Sequence, residues 1–135
     1  SAMQDPNEFM ILPEIISKEP LGPVVRHGDN QWGDIVQWTL NALIVAEELG
    51  VTQKNVDDLA KNAKVPEVRR LLGLEGSLGS KFGLNDAWAA NVIRAVGNYG
   101  EIFERHIGVN TPIGIERGLN ALWNKGGLMY PMPAR

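Results

Sequence analysis

The sequence predicts an α/β domain dominated by helices, with two or three short strands near the N-terminus followed by five or six helices. Three observations carry that reading. The stretch 30–50 (NQWGDIVQWTLNALIVAEELG) repeats apolar residues at helical spacing. Two short apolar runs rich in β-branched residues precede it, at 9–17 and 21–26. Capping residues and glycine or proline stops then recur through the rest of the chain.

The central stretch organises the others. Trp32, Ile35, Val36, Thr39, Leu40 and Leu43 form one apolar face, and Trp38, Ala42, Val45 and Leu49 a second row beside it. Asp34, Gln37, Asn41 and Glu48 leave only a narrow polar strip, so this helix calls for partners on two sides. Asp29 or Asn30 suits its N-cap and Gly50 its end.

Before it, FMILPEIIS at 9–17 is interrupted by Pro13, which suits an edge or bent strand. LGPVVR at 21–26 reads as a second strand. Strands so short need a packing surface. After it, Thr52 suits the cap of a helix reaching Asn62, and Pro66 the first turn of another with Glu67 at its positive end. The segment 73–83 (GLEGSLGSKFG) reads as a mobile surface loop; it lacks the Walker spacing of a phosphate loop. Asn85 suits the cap of a helix with Trp88, Val92, Ala95 and Val96 inward. Asn98 and Glu101 have capping-box spacing for the next, closed by Gly108. Thr111 and Pro112 open a last predicted helix with Ile115, Leu119, Leu122 and Trp123 on its stripe, stopping at Gly126. The tail LMYPMPAR reads as extended and docked.

The 135 residues suffice for one domain with a core, assigned to 4–135. Ser1, Ala2 and Met3 read as the scar of tag cleavage. Net charge is −3, and no basic cluster exceeds Arg69–Arg70, which argues against a nucleic-acid surface. The absence of cysteine excludes thiolate metal sites, disulfides and cysteine nucleophiles. No apolar run approaches the roughly 18 residues of a membrane span.

Candidate chemistry is sparse. His27 beside Asp29 has no nucleophile placed next to it, and reads as a solvated turn that starts a helix. His106 suits the C-terminal end of a helix dipole. Two histidines so far apart give no metal spacing. Glu47 and Glu48 read as facing solvent, and all four tryptophans as core. Arg105 and Arg117 can clamp a carboxylate, with a helix-surface ion pair the commoner fate. No catalytic constellation, metal site or cofactor site emerges, so the reading is not an enzyme.

The runs ILPEIISKEPLGPVVRHGDNQW, VGNYGEIFERHIG and RGLNALWNKGGLMYPMPAR resemble the C-terminal part of general L-amino-acid-binding periplasmic proteins. These are solute-binding components of ABC importers with the type II periplasmic-binding fold, two α/β lobes joined by a hinge. The resemblance implies a partial lobe, a periplasmic location, and ABC transporter membrane subunits as partners of the full-length relatives. It places 9–17 at the end of the second lobe, LGPVVRHG as the strand returning through the hinge, and the later helices on the first lobe. The family arginine for the ligand α-carboxylate and the acid for its amine lie outside the matched part. The resemblance thus implies a truncated solute-binding protein without a complete amino-acid site. The alternative is a small self-associating module. If an L-amino acid binds, Arg26, His27 and Asp29 are the candidate contacts, because the hinge strand borders the interlobe cleft. Strands without partners further predict a homo-oligomer, specifically a domain-swapped dimer.

Overall fold

The computed structural model describes residues 9–10, 12–14, 16–17 and 19–133. Residues 1–8, with the expected scar at 1–3, and Ile11, Ile15, Lys18 and the final two residues lie outside them. Six helices follow one another: α1 (Asn30–Glu48), α2 (Val56–Asn62), α3 (Pro66–Leu71), α4 (Leu78–Lys81), α5 (Trp88–Val96) and α6 (Tyr99–His106). Two 3-10 turns, Gly118–Asn120 and Trp123–Lys125, complete the order. No described helix is long and apolar enough to cross a membrane.

α1 is the axis, and residues of both its apolar rows meet the core. Ala42, Leu43 and Ala46 are buried against Val56 of α2, Val68 and Leu71 of α3, and Trp88, Ala89 and Ile93 of α5. Trp38, Val45 and Leu49 flank this cluster. The first face fails to be covered at its beginning: Trp32 remains 52% exposed. Farther along the same half, Ile35, Val36, Thr39 and Leu40 are half-buried.

The expected strands are not present among the described residues. The segment 19–26 is extended chain without a ladder, and Leu21 and Val24 are 91% and 95% exposed. A strand exists only where a neighbouring backbone accepts its hydrogen bonds, and no described segment offers one. Val25 is the residue that turns inward, its Cγ2 lying over Gly33 in the first turn of α1. The one isolated bridge joins Leu122 to Met129, far from these segments.

The last predicted helix is also corrected. Gly114 and Gly118 both take positive φ, 67° and 46°, and a right-handed helix cannot run through either. The chain instead folds back on itself: Trp123 N–H donates to Met129 O at 3.1 Å, and Met129 N–H to Ala121 O at 3.1 Å. This buries Leu122 but leaves Trp123 49% exposed. Trp32 and Trp123 are thus surface residues, while Trp88 is core and Trp38 half-buried.

The segment 73–83 is anchored where a mobile loop was expected. It contains α4, Ser80 N–H donates to Asp86 Oδ1 at 2.9 Å, and Gln31 Nε2 donates to Phe82 O at 3.1 Å. The Phe82 ring sits between Trp38 and Trp88, at centroid distances of 6.1 and 6.3 Å. Its role is to brace the middle of α1.

The predicted capping box is realised and extended. Glu101 N–H donates to Asn98 Oδ1 at 2.9 Å, and Asn98 N–H to Glu101 Oε2 at 2.8 Å. Asn98 Nδ2 also donates to Val51 O at 2.9 Å, and Gln53 N–H to Glu101 Oε2 at 3.0 Å. One side-chain pair thereby ties the α1–α2 connection to the start of α6. Asn98→Ala removes a cap and orphans a buried carbonyl, so it should cost about 2–4 kcal/mol. Urea unfolding monitored by circular dichroism checks this; a loss below about 0.5 kcal/mol, the usual size for a surface change, contradicts it.

Candidate functional site

Arg26, His27 and Asp29 come together at the head of α1. With Val25, Gly28, Asn30, Gly33, Asp34 and Gln37 they line a shallow groove of about 400 Å³. The turn that forms it uses Gly28 at φ 89°. The Asp29 carboxylate is already engaged as the N-cap, its Oδ1 accepting from Trp32 N–H at 3.1 Å. Arg26 and His27 are exposed. Binding an amino acid needs a guanidinium or helix N-terminus for the carboxylate and an acid for the amine, inside a cleft that excludes water. This groove offers a cation and a capped acid on an open face.

The strongest electrostatic construction lies elsewhere, and sequence reasoning missed its partner. Arg117 meets Glu47 in a bidentate pair, Nη1 to Oε1 at 3.0 Å and Nη2 to Oε2 at 2.9 Å. The two side chains are only 17% and 10% exposed. Arg117 Nη2 also donates to Asn120 O at 2.9 Å. The guanidinium carbon lies 5.3 Å from the Tyr99 ring centroid and 5.2 Å from that of Phe103. A Cβ on Gly100 would stand 2.9 Å from both Arg117 Nη1 and Glu47 Cδ, so the glycine makes room for the pair.

Glu47 therefore faces inward, against the expectation of solvent. Glu48, its neighbour, accepts from Trp123 Nε1 at 3.1 Å. Arg117 does clamp a carboxylate, across 70 positions instead of along one helix. Arg105 Nη2 donates to Val96 O at 2.9 Å. His106 occupies the last turn of α6, as its sequence position indicated. The Glu47–Arg117 pairing had no local signal; only the type of Arg117 hinted at it.

Burial pushes the Tyr99 phenol above its ordinary value of 10.0; the Arg117 guanidinium works against this and the Glu47 carboxylate with it. A raised acid titrates later in the folded state than in the unfolded chain. Its contribution is intact below pH 10.0 and is lost as pH rises beyond it.

The described residues thus form a helical body preceded by an unladdered, exposed segment, with an open groove at their junction. The general L-amino acid-binding periplasmic protein AapJ of Rhizobium johnstonii is 61% identical over 135 residues, covering 98% of this chain and 39% of its own length. The glutamate/glutamine/aspartate/asparagine-binding protein BztA of Rhodobacter capsulatus is 60% identical over 128 residues, covering 95% and 38%. In structure, an ABC transporter / periplasmic binding protein from Brucella ovis with glutathione bound superimposes with a TM-score of 0.92 at 54% identity, over 99% of this chain and 42% of that one. No protein-family model matches. The chain is similar to periplasmic binding proteins of amino-acid ABC transporters, and spans about two-fifths of the length of the relatives it matches.

The Glu47–Arg117 pair gives the sharpest mutational expectation. Arg117→Met leaves a largely buried carboxylate unpaired and should destabilise by about 3 kcal/mol. The double variant Glu47→Leu with Arg117→Met should recover most of that loss, because apolar replacement of both partners is close to neutral. Urea midpoints of the three proteins check it; a double variant no more stable than the single one contradicts it.

Proposed function

We propose that the chain acts in amino-acid import as a C-terminal part of a periplasmic solute-binding protein. In this role it supplies a helical layer of a type II lobe on which another part of that protein packs, and holds no complete amino-acid site itself. The observation that carries this is the exposure of Leu21 and Val24 on the segment that enters α1, and of Trp32 in the helix's first turn. Apolar residues this exposed mark an interaction surface. The relatives, more than twice as long, support a covering partner within the same kind of protein. Arg26, His27 and Asp29 then contribute to a ligand site only once that partner closes their groove. The role is binding and transport, in the periplasm, alongside ABC transporter membrane subunits, and not catalysis.

A tryptophan-fluorescence titration of the isolated chain with a panel of L-amino acids tests the reading. Trp32 stands beside the candidate groove, so occupancy would change its emission. The expected response is flat. A saturable micromolar response abolished by Arg26→Ala would show a site complete within this chain and overturn it.

The same exposed residues favour a second reading, in which a further copy of the chain covers them as a domain-swapped dimer. Light scattering at micromolar concentration should then return twice the 14.8 kDa chain mass; a monomeric mass rejects the dimer.

A further inference from the structure

A second, deeper groove lies on the opposite half of α1, between its C-terminal turns, α3 and the last described residues. It has a volume of about 710 Å³, within the range of roughly 300–1,000 Å³ that takes a small organic ligand. Val45, Leu49 and Leu71 give it an apolar floor, and Trp123 and Tyr130 stand on its wall. The two rings meet edge to face, 5.5 Å apart at 64°. Tyr130 is 72% exposed and Trp123 49%, so both side chains remain accessible beside the groove.

The charge at the rim is unbalanced. Glu67 is matched by Arg70, Nη2 to Oε1 at 3.3 Å. Glu48 also lines the groove, and among the described residues no lysine or arginine pairs with it. Its Oε1 accepts from the Trp123 indole at 3.1 Å. That bond fixes the carboxylate beside the aromatic pair and leaves Oε2 for another donor. A fixed carboxylate beside electron-rich ring faces attracts cations and repels anions.

The geometry points to a binding site for an apolar organic cation, an ammonium carried on a hydrophobic body. The ammonium lies between Glu48 and the Trp123 and Tyr130 rings, and the body rests on Val45, Leu49 and Leu71. The site is separate from the groove at the head of α1, and its ligand differs from a free amino acid in lacking a carboxylate. Each part has a physical role: the floor supplies affinity, the rings and Glu48 select the positive charge.

Phenethylamine serves as the probe, with 2-phenylethanol, 3-phenylpropionate and phenylalanine as charge controls on the same ring. Binding is read from the Trp123 indole N–H resonance in a two-dimensional NMR titration. Phenethylamine should bind saturably and shift that resonance, and each control should bind about tenfold more weakly or worse. Glu48→Gln keeps an acceptor for the indole while removing the charge, and should weaken phenethylamine about tenfold without altering the alcohol. Four results would overturn the assignment. They are no saturable shift with the amine, equal binding of the alcohol, equal binding of phenylalanine, or a Glu48→Gln protein that binds the amine unchanged.

Discussion

The bidentate contact between Glu47 and Arg117 holds the C-terminal quarter of the chain to its central helix. The segment after α6 has little regular structure, and its backbone hydrogen bonds are local: Ile115 N–H donates to Ile107 O, and a small loop closes between Leu119 and Met129. Arg117 reaches from that segment to α1 and lies against the rings of Tyr99 and Phe103 on α6. A guanidinium suits this place because one planar group can bind a carboxylate along its edge and present its face to an aromatic ring. Lysine would supply the charge without the fork. The tail continues the same dependence, with Met132 N–H donating to Asn41 Oδ1 at 2.7 Å farther up α1. With its end fixed this way, the tail forms one wall of the deeper groove.

A contrast runs along α1. Its C-terminal half is packed by α3, α5 and α6 and tied in by polar contacts, so its side chains have little freedom. Its N-terminal half is braced by Phe82 and Gln31 but keeps Trp32 exposed to solvent. Hydrophobic burial contributes roughly 25 cal/mol per Å² of apolar surface, and the exposed Leu21, Val24 and Trp32 forgo that gain. The similar proteins are more than twice as long, which fits the proposal that another part covers these residues and realises the gain.

Much of the helical body was legible in the sequence because its signals are local. Residues 30–48 repeat at helical spacing, Pro66 opens α3, and Asn98 with Glu101 forms the box that ends one helix and starts the next. Three features were not. The runs at 9–17 and 21–26 have strand chemistry, but a strand is a property of two segments and the second is not among the described ones. Residues 112–125 have a helical stripe, yet Gly114 and Gly118 take left-handed conformations that the apolar spacing does not register. The Glu47–Arg117 pair joins residues seventy positions apart, and no spacing rule links them. The candidate groove fared between these cases. Arg26, His27 and Asp29 do share one face, but Asp29 is consumed by capping, which its position before residue 30 already signalled.

Under the proposed function, this chain is a self-supporting helical body whose exposed apolar residues at the head of α1 await a cover. Residue-resolved hydrogen exchange on a dilute, monomeric sample tests this most directly. The account predicts strong protection for the amides of α1 from Ala42 onward, α5 and α6, and exchange at unprotected rates through residues 19–28. Comparable protection of 19–28 and the helices would mean that the segment is laddered within the monomer. Those residues would then be covered already, and the case for a missing partner would fall.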